Sequence, residues 1–188
     1  MNKERILINE LNTFKKINSN VLGIFLALFG TLLLAISAKV QVPFWPIPMT
    51  MQTFVIFLIG MTYSVRLSFI TVALYLFEGA VGLPVFASGG GIAYLTGPTA
   101  GYLYGMLLAS ITISYFANLG FSKTYLQATF SLLIGSIIIF TIGILYLGSI
   151  IGFEKAIVVG LMPFIPSEIF KIALAVTLIP TFLKITKN

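Results

Sequence analysis

The sequence predicts an all-α integral membrane protein: six transmembrane helices, both termini in the cytoplasm, and an irregular glycine-rich outer loop between helices 3 and 4. Three observations predict it. First, 59% of the residues are hydrophobic and only 9% charged, with a mean hydropathy of +1.08, whereas a soluble domain carries about 25% charged residues. Second, the apolar stretches approach the roughly 20 residues that a helix needs to cross a bilayer. Third, the cations are shared unequally between alternate connections.

The elements follow in chain order. The opening segment, residues 1–19, contains MNKERILINELNTFKK. Its mixed charge and lack of a small-residue cleavage site read against a signal peptide. Ile6, Leu7, Leu11 and Phe14 sit at helical spacing. An amphipathic helix on the inner membrane surface and a basic tail both fit them. Apolar runs between polar breaks then give helices over 20–39, 49–64, 66–84, 98–118, 125–149 and 157–183. The second is short and follows a proline-rich stretch, VPFWPIP; residues 85–97 form an uncharged connection. No repeat, long linker or second domain interrupts the chain, so 1–188 reads as one transmembrane domain.

Orientation comes from charge. With the N-terminus inside, the cytoplasmic segments hold Lys3, Arg5, Lys15, Lys16, Arg66, Lys123, Lys184 and Lys187, against Lys39 and Lys155 outside. Eight against two is the positive-inside bias of a multi-pass protein of the cytoplasmic membrane. The net charge of +6 is therefore read as cytoplasmic loops in contact with a lipid bilayer, with no nucleic-acid partner.

The chain has no Cys and no His, and also lacks Asp. That excludes the usual Cys/His metal sites, a catalytic thiol and a histidine-based triad. Neither a metal nor an enzymatic activity is expected. The stretch FASGGGIAYLTGPTAGYLYG, from Phe86 to Gly105, is not a phosphate loop either: no Lys or Arg lies between Arg66 and Lys123, and a Walker A loop requires a lysine. A dinucleotide fingerprint needs a strand before it and a helix after, but this segment joins two membrane helices. Two readings remain: a tightly folded loop, or a ligand site. Glycines let backbone groups approach a small ligand, and Tyr94, Tyr102 and Tyr104 supply flat walls with a polar tip.

Few ionisable residues fall within the spans. Glu78 lies in the third, and Glu168 and Lys171 lie in the sixth. Charges at mid-bilayer cost about 2.5–3.5 kcal/mol on insertion scales and are functional candidates by default. Glu168 and Lys171 are three apart on one helix face and can pair. Pro163 and Pro166 suggest that the helix properly starts near them, in the outer half of the membrane. A structural ion pair with Lys171 snorkelling is the alternative. Glu78 could cap, pair with Lys39 or Lys171, or face water. Gln52 opens the second helix and could do no more than bond its end.

The segments VPFWPIPMTMQTF, LYLFEGAVGLPVFASGGG, YLTGPTAGYLYG and FIPSEIFKIALA resemble, in order, the four signatures of the BioY family, the biotin-specific S components of energy-coupling factor (ECF) transporters. The resemblance implies six helices, capture of biotin from outside beneath outer loops, and delivery across the membrane. It also implies partners: a transmembrane coupling protein and two cytoplasmic ATPases. No cofactor belongs to this subunit; ATP would be used by the partners. The family usually has Pro-Gly-Asp and then a lysine in its last helix. Here the match is Pro166-Ser167-Glu168 and Lys171, with the carboxylate one methylene further out. After the GPT the family often has Gly-Gly, where this chain has Ala100-Gly101.

On this resemblance Glu168 would take the ureido N–H groups of biotin, and Lys171 the ureido carbonyl or the valerate. Tyr102, Tyr94 and Phe86 would pack on its rings, and Gln52 would add a donor or acceptor. Glu78 is carried as a further candidate. Gly89, Gly90 and Gly97 would let the loop close as a lid. Gly23, Ala27, Thr31 and Ala35 recur every four residues on the first helix and allow close helix approach. Docking on the coupling protein and packing within the subunit both fit that stripe. Rival functions are a membrane enzyme, a self-sufficient secondary transporter and a purely structural protein.

Overall fold

The computed structural model describes residues 19–185. The segment carrying Ile6, Leu7, Leu11 and Phe14 lies outside the described residues. Apart from a two-residue β-ribbon, the described fold is helical. Helix α1 spans Ser19–Lys39 and is followed by strands β1 (Gln41–Val42) and β2 (Met49–Thr50), paired antiparallel with Gln41 opposite Thr50. Then come α2 (Gln52–Thr62), α3 (Val65–Ala80), a 3-10 turn (Ile92–Thr96), α4 (Ala100–Phe116), a π-helical turn (Ala117–Phe121) and α5 (Tyr125–Ile151). The last elements are α6 (Phe153–Gly160), a 3-10 turn (Met162–Phe164) and α7 (Ile165–Ile185).

Local chemistry accounts for the boundaries. Pro43, Pro46 and Pro48 lack the amide N–H that a helix interior needs, which keeps the closely spaced prolines before Gln52 out of α2. Ser64 and Thr124 cap α3 and α5, accepting from the backbone N–H groups of Leu67 and Gln127. Gly120 and Gly152 take positive φ where α4 and α5 end. Between the helix ends, hydroxyls such as those of Thr31, Ser37, Ser110 and Thr129 bond carbonyls three or four residues back. Polar groups in a lipid-facing helix are satisfied internally in this way.

The expected run 157–183 is two helices, not one. α6 stops at Gly160, the chain turns over Leu161–Phe164, and α7 starts at Ile165. Pro166 falls in the first turn of α7, where its missing N–H costs nothing.

Four helical stretches are long and apolar enough to cross a membrane: Asn20–Lys39, Ala100–Phe121, Tyr125–Ile151 and Phe153–Leu178, the last carrying the turn. α2 is apolar but has only 11 residues. Large apolar side chains cover the outside, among them Phe25, Leu126, Ile137 and Phe170. A water-facing surface would not carry them together; this is the exterior of a multi-pass membrane protein.

α4 and α5 form the central pair. Gly101, Gly105 and Ala109 recur every four residues along α4. A Cβ at Gly105 would lie 2.8 Å from the Cα of Ile139, so the two backbones nearly touch. Behind them, Tyr63 at the end of α2 donates to the carbonyl of Leu26 in α1 at 2.9 Å. The ends of α1, α3 and α5 and the starts of α2, α4 and α7 come together, and the connections there surround a cavity.

Candidate functional site

The cavity has an apolar wall and a polar floor. Phe86, Ala87, Tyr94, Tyr102, Leu103, Met106, Ile139, Phe140 and Phe164 form most of the wall, and Ile47 and Pro48 also line it. Thr50, Gln52, Thr53, Glu168 and Lys171 supply the polar groups. The empty space between them, open mouth included, is about 520 Å³.

The break between α6 and α7 creates the floor. It lets a new helix, α7, begin beside the cavity, so Glu168 falls in its first turn. Unpaired N–H groups and the positive end of the helix dipole favour an anion there. Lys171, one turn on, stands beside it with Nζ 3.3 Å from Glu168 Oε2. Both are buried, at 5% and 3% exposure, and they make the one salt bridge among the described residues.

Two further residues complete the network. The Thr53 hydroxyl donates to Glu168 Oε2 at 2.9 Å and accepts from Lys171 Nζ at 3.0 Å. Ser136, from α5, donates to Glu168 Oε1 at 3.0 Å. Each carboxylate oxygen therefore has a partner, and four side chains from α2, α5 and α7 hold one another. Sequence reasoning missed Thr53 and Ser136. Thr53 follows Gln52, and that adjacency at the start of a helix was the available signal. Ser136 offered none.

Gln52 is buried beside this network. Its Nε2 donates to the Tyr75 hydroxyl at 2.7 Å, and its Oε1 accepts from Thr50 Oγ1 at 3.0 Å.

The aromatic wall is built on close contacts. Phe86 is fully buried, stacked on Tyr94 (centroids 4.9 Å apart) and edge-on to Tyr75 (5.4 Å). Gly79 lies under the Phe86 ring, where any Cβ would collide with it. Tyr102 stacks on Phe164, and its hydroxyl donates to the Gly160 carbonyl at 2.9 Å. That bond ties the α6–α7 turn to α4. Tyr102→Phe keeps the ring and leaves a buried carbonyl unpaired, so it should cost about 1–2 kcal/mol. Thermal unfolding of the purified protein checks this; an unchanged midpoint would mean that the bond contributes nothing to holding the turn.

The remaining sequence candidates sit elsewhere. Tyr104 is outside the cavity and donates to the Leu95 carbonyl at 2.7 Å. Glu78 is half-buried near the end of α3 and does not line the cavity. The partners considered for it are engaged by others: Lys39 Nζ donates to the Phe86 carbonyl at 2.6 Å, and Lys171 pairs with Glu168. Gly89, Gly90 and Gly97 stand behind the wall, off the lining. Gly89 has φ +133°, which glycine adopts readily, and its carbonyl accepts from the Phe86 N–H at 2.9 Å. The glycine-rich segment is thus a pinned wall in this structure. On α1, Ala27 and Thr31 are buried in the chain's own packing, with Gly23 and Ala35 half-buried. The open face of α1 is the bulky one, with Ile24, Phe25, Leu28 and Ile36.

The arrangement suits a small ligand with an apolar body and a compact polar end. Such an end would exchange hydrogen bonds with a carboxylate, an ammonium and hydroxyls.

Comparisons with known proteins point the same way. The model of the BioY family matches residues 10–188. Over 168 residues the chain is 33% identical to the "Probable biotin transporter BioY" of Rickettsia prowazekii, covering 89% of this chain and 86% of that one. It is 38% identical over 146 residues to the protein of the same name from Pyrococcus horikoshii, at 77% and 85% coverage. It is 35% identical over 147 residues to the "Biotin transporter BioY" of Thermotoga maritima, at 77% and 86% coverage. Among solved structures it resembles the S-component for biotin from an ECF-type ABC transporter, with a TM-score of 0.79. That match has 24% identity and covers 90% of this chain and 94% of that chain. At this identity the likeness is one of fold.

Proposed function

The chain belongs to the BioY family, and from that premise we propose that it captures biotin and delivers it across the membrane as the S component of an ECF-type importer. The observation that carries the reading is the Glu168–Lys171–Thr53 network at the floor of an otherwise apolar cavity. Biotin offers a ureido group with two N–H donors and one carbonyl, an apolar thioether ring and a valerate carboxylate. Glu168 takes the ureido N–H groups, and Lys171 the ureido carbonyl or the valerate. Tyr102, Tyr94 and Phe86 hold the rings, and Gln52 adds a donor or acceptor.

In this reading 1–188 is one domain in the cytoplasmic membrane. α1 to α5 and α7 make the six crossings, and both termini lie in the cytoplasm. The cavity then opens outward, at the end carrying Lys39 and Lys155. Arg66 and Lys123 fall at the other end, which supports this orientation. The chain needs no cofactor of its own. Its partners are a transmembrane coupling protein and two ATPases, which supply the energy.

Calorimetry on the purified protein in detergent tests the reading. Tight, one-to-one binding of biotin is expected. A folded sample that takes up no biotin overturns it.

A further inference from the structure

Three consecutive carbonyls of the aromatic wall are each gripped by a side chain from a different element. Tyr75, from α3, donates its hydroxyl to the Val85 carbonyl at 2.9 Å. Lys39, at the end of α1, donates to that of Phe86 at 2.6 Å, and Gln41, in β1, donates through Nε2 to that of Ala87 at 3.3 Å. Phe86 and Ala87 line the cavity; Tyr75, Lys39 and Gln41 do not. Loop carbonyls normally bond water. Here side chains replace it, and the wall loses the freedom that a solvated loop keeps.

Tyr75 does more than the other two. Its hydroxyl also accepts from Gln52 Nε2 at 2.7 Å, and Gln52 in turn accepts from Thr50 at 3.0 Å. One oxygen therefore links the Phe86 wall to the polar side that holds Gln52 and Thr50. Its ring packs edge-on against Phe86. Tyr75 is fully buried, so the link is shielded from water. Neither the intramembrane charges nor the glycine pattern pointed to it.

We propose that Tyr75 is the positioning residue that fixes both walls of the cavity before the ligand arrives, with Lys39 and Gln41 as its auxiliaries. The inference rests on the biotin reading above. A site held in its binding shape avoids the ordering cost that a loose loop would add on binding. Without the Tyr75 hydroxyl, Gln52 and the Val85 carbonyl each lose a partner, and the walls can move independently. The ring remains in Tyr75→Phe, so packing against Phe86 is kept.

The test compares biotin binding and thermal unfolding in wild type, Tyr75→Phe, Lys39→Met and Tyr63→Phe. Tyr63→Phe is the matched control, because it removes another phenol that donates to a backbone carbonyl, that of Leu26, away from the cavity. Tyr75→Phe should weaken biotin binding about ten-fold, the scale of one buried hydrogen bond, with a more unfavourable binding entropy. Lys39→Met should weaken it in the same direction by less. Tyr63→Phe should lower thermal stability and leave affinity unchanged. An unchanged Kd in Tyr75→Phe overturns the proposal, as does an equal loss in Tyr63→Phe, since the effect would then be general loosening. Should Tyr75→Phe fail to fold, Lys39→Met decides: weakened binding supports the clamp and wild-type affinity overturns it. A folded wild type that takes up no biotin overturns the functional reading and this proposal with it. Wild-type binding with indistinguishable variants overturns this proposal alone.

Discussion

Replacing Lys171 by methionine should reduce biotin affinity about thirty-fold or more, since truncating one partner of a buried charged contact costs about 2–5 kcal/mol of binding. Two losses combine. The ligand loses its cationic partner, and Glu168 is left as a buried carboxylate with only Thr53, Ser136 and the start of α7 to support it. A second substitution separates them. Exchanging both charges, Lys171→Met with Glu168→Gln, removes the uncompensated charge, so thermal stability should recover above that of Lys171→Met alone. Biotin binding should not recover. If Lys171→Met binds biotin like wild type, the pair is purely structural and recognition lies in the aromatic wall.

Gly79→Val should do comparable damage by a different route. The side chain would enter the space of the Phe86 ring, which Tyr75 and Tyr94 already flank. With Tyr75 and Tyr94 packed against it, the ring should swing into the cavity or the wall should shift. Overpacking of this kind costs typically 1–3 kcal/mol, and here the upper end is expected because the obstruction is a whole buried ring. Loss of biotin binding together with a lower unfolding temperature is the expected result. Retained binding would mean that the wall can step back, contrary to its three carbonyl clamps.

Much of the fold was legible because long apolar runs leave little choice. α1, α4 and α5 begin and end within about two residues of their apolar runs. The last run misled because hydropathy is blind to a turn made of apolar residues. Leu161, Met162 and Phe164 look helical by composition, and only Pro163 and Pro166 hinted at the break. Close helix approach was sought on α1, at Gly23, Ala27, Thr31 and Ala35. Helix backbones approach most closely on α4, at Gly101 and Gly105, inside the expected helix over 98–118, where these glycines were read as part of the ligand stretch and not as a packing seam.

In the cavity, Glu168 and Lys171 stood out because charge is rare in a membrane span. Glu78 stood out for the same reason, yet it lies off the lining near the end of α3. Rarity marks a residue but gives no direction. Thr53 and Ser136 could not be picked out, since hydroxyls in membrane helices commonly bond their own backbone, as Thr31 and Ser110 do. Only the folded contact between residues 115 positions apart shows that Thr53 serves Glu168 instead.

The pairing of Glu168 with Lys171 also bears on which step of the proposed transport carries electrical work. The charged groups lining the cavity cancel, one negative and one positive. A cargo with an ionised valerate therefore makes the loaded site a net anion. Moving one such charge inward against an inside-negative potential requires about 2.3 kcal/mol per 100 mV. With a neutral lining the empty site returns without electrical work, so the loaded step bears all of it. On the proposed function, uptake of the ionised cargo works against an inside-negative potential, and the partner subunits proposed above would supply that work.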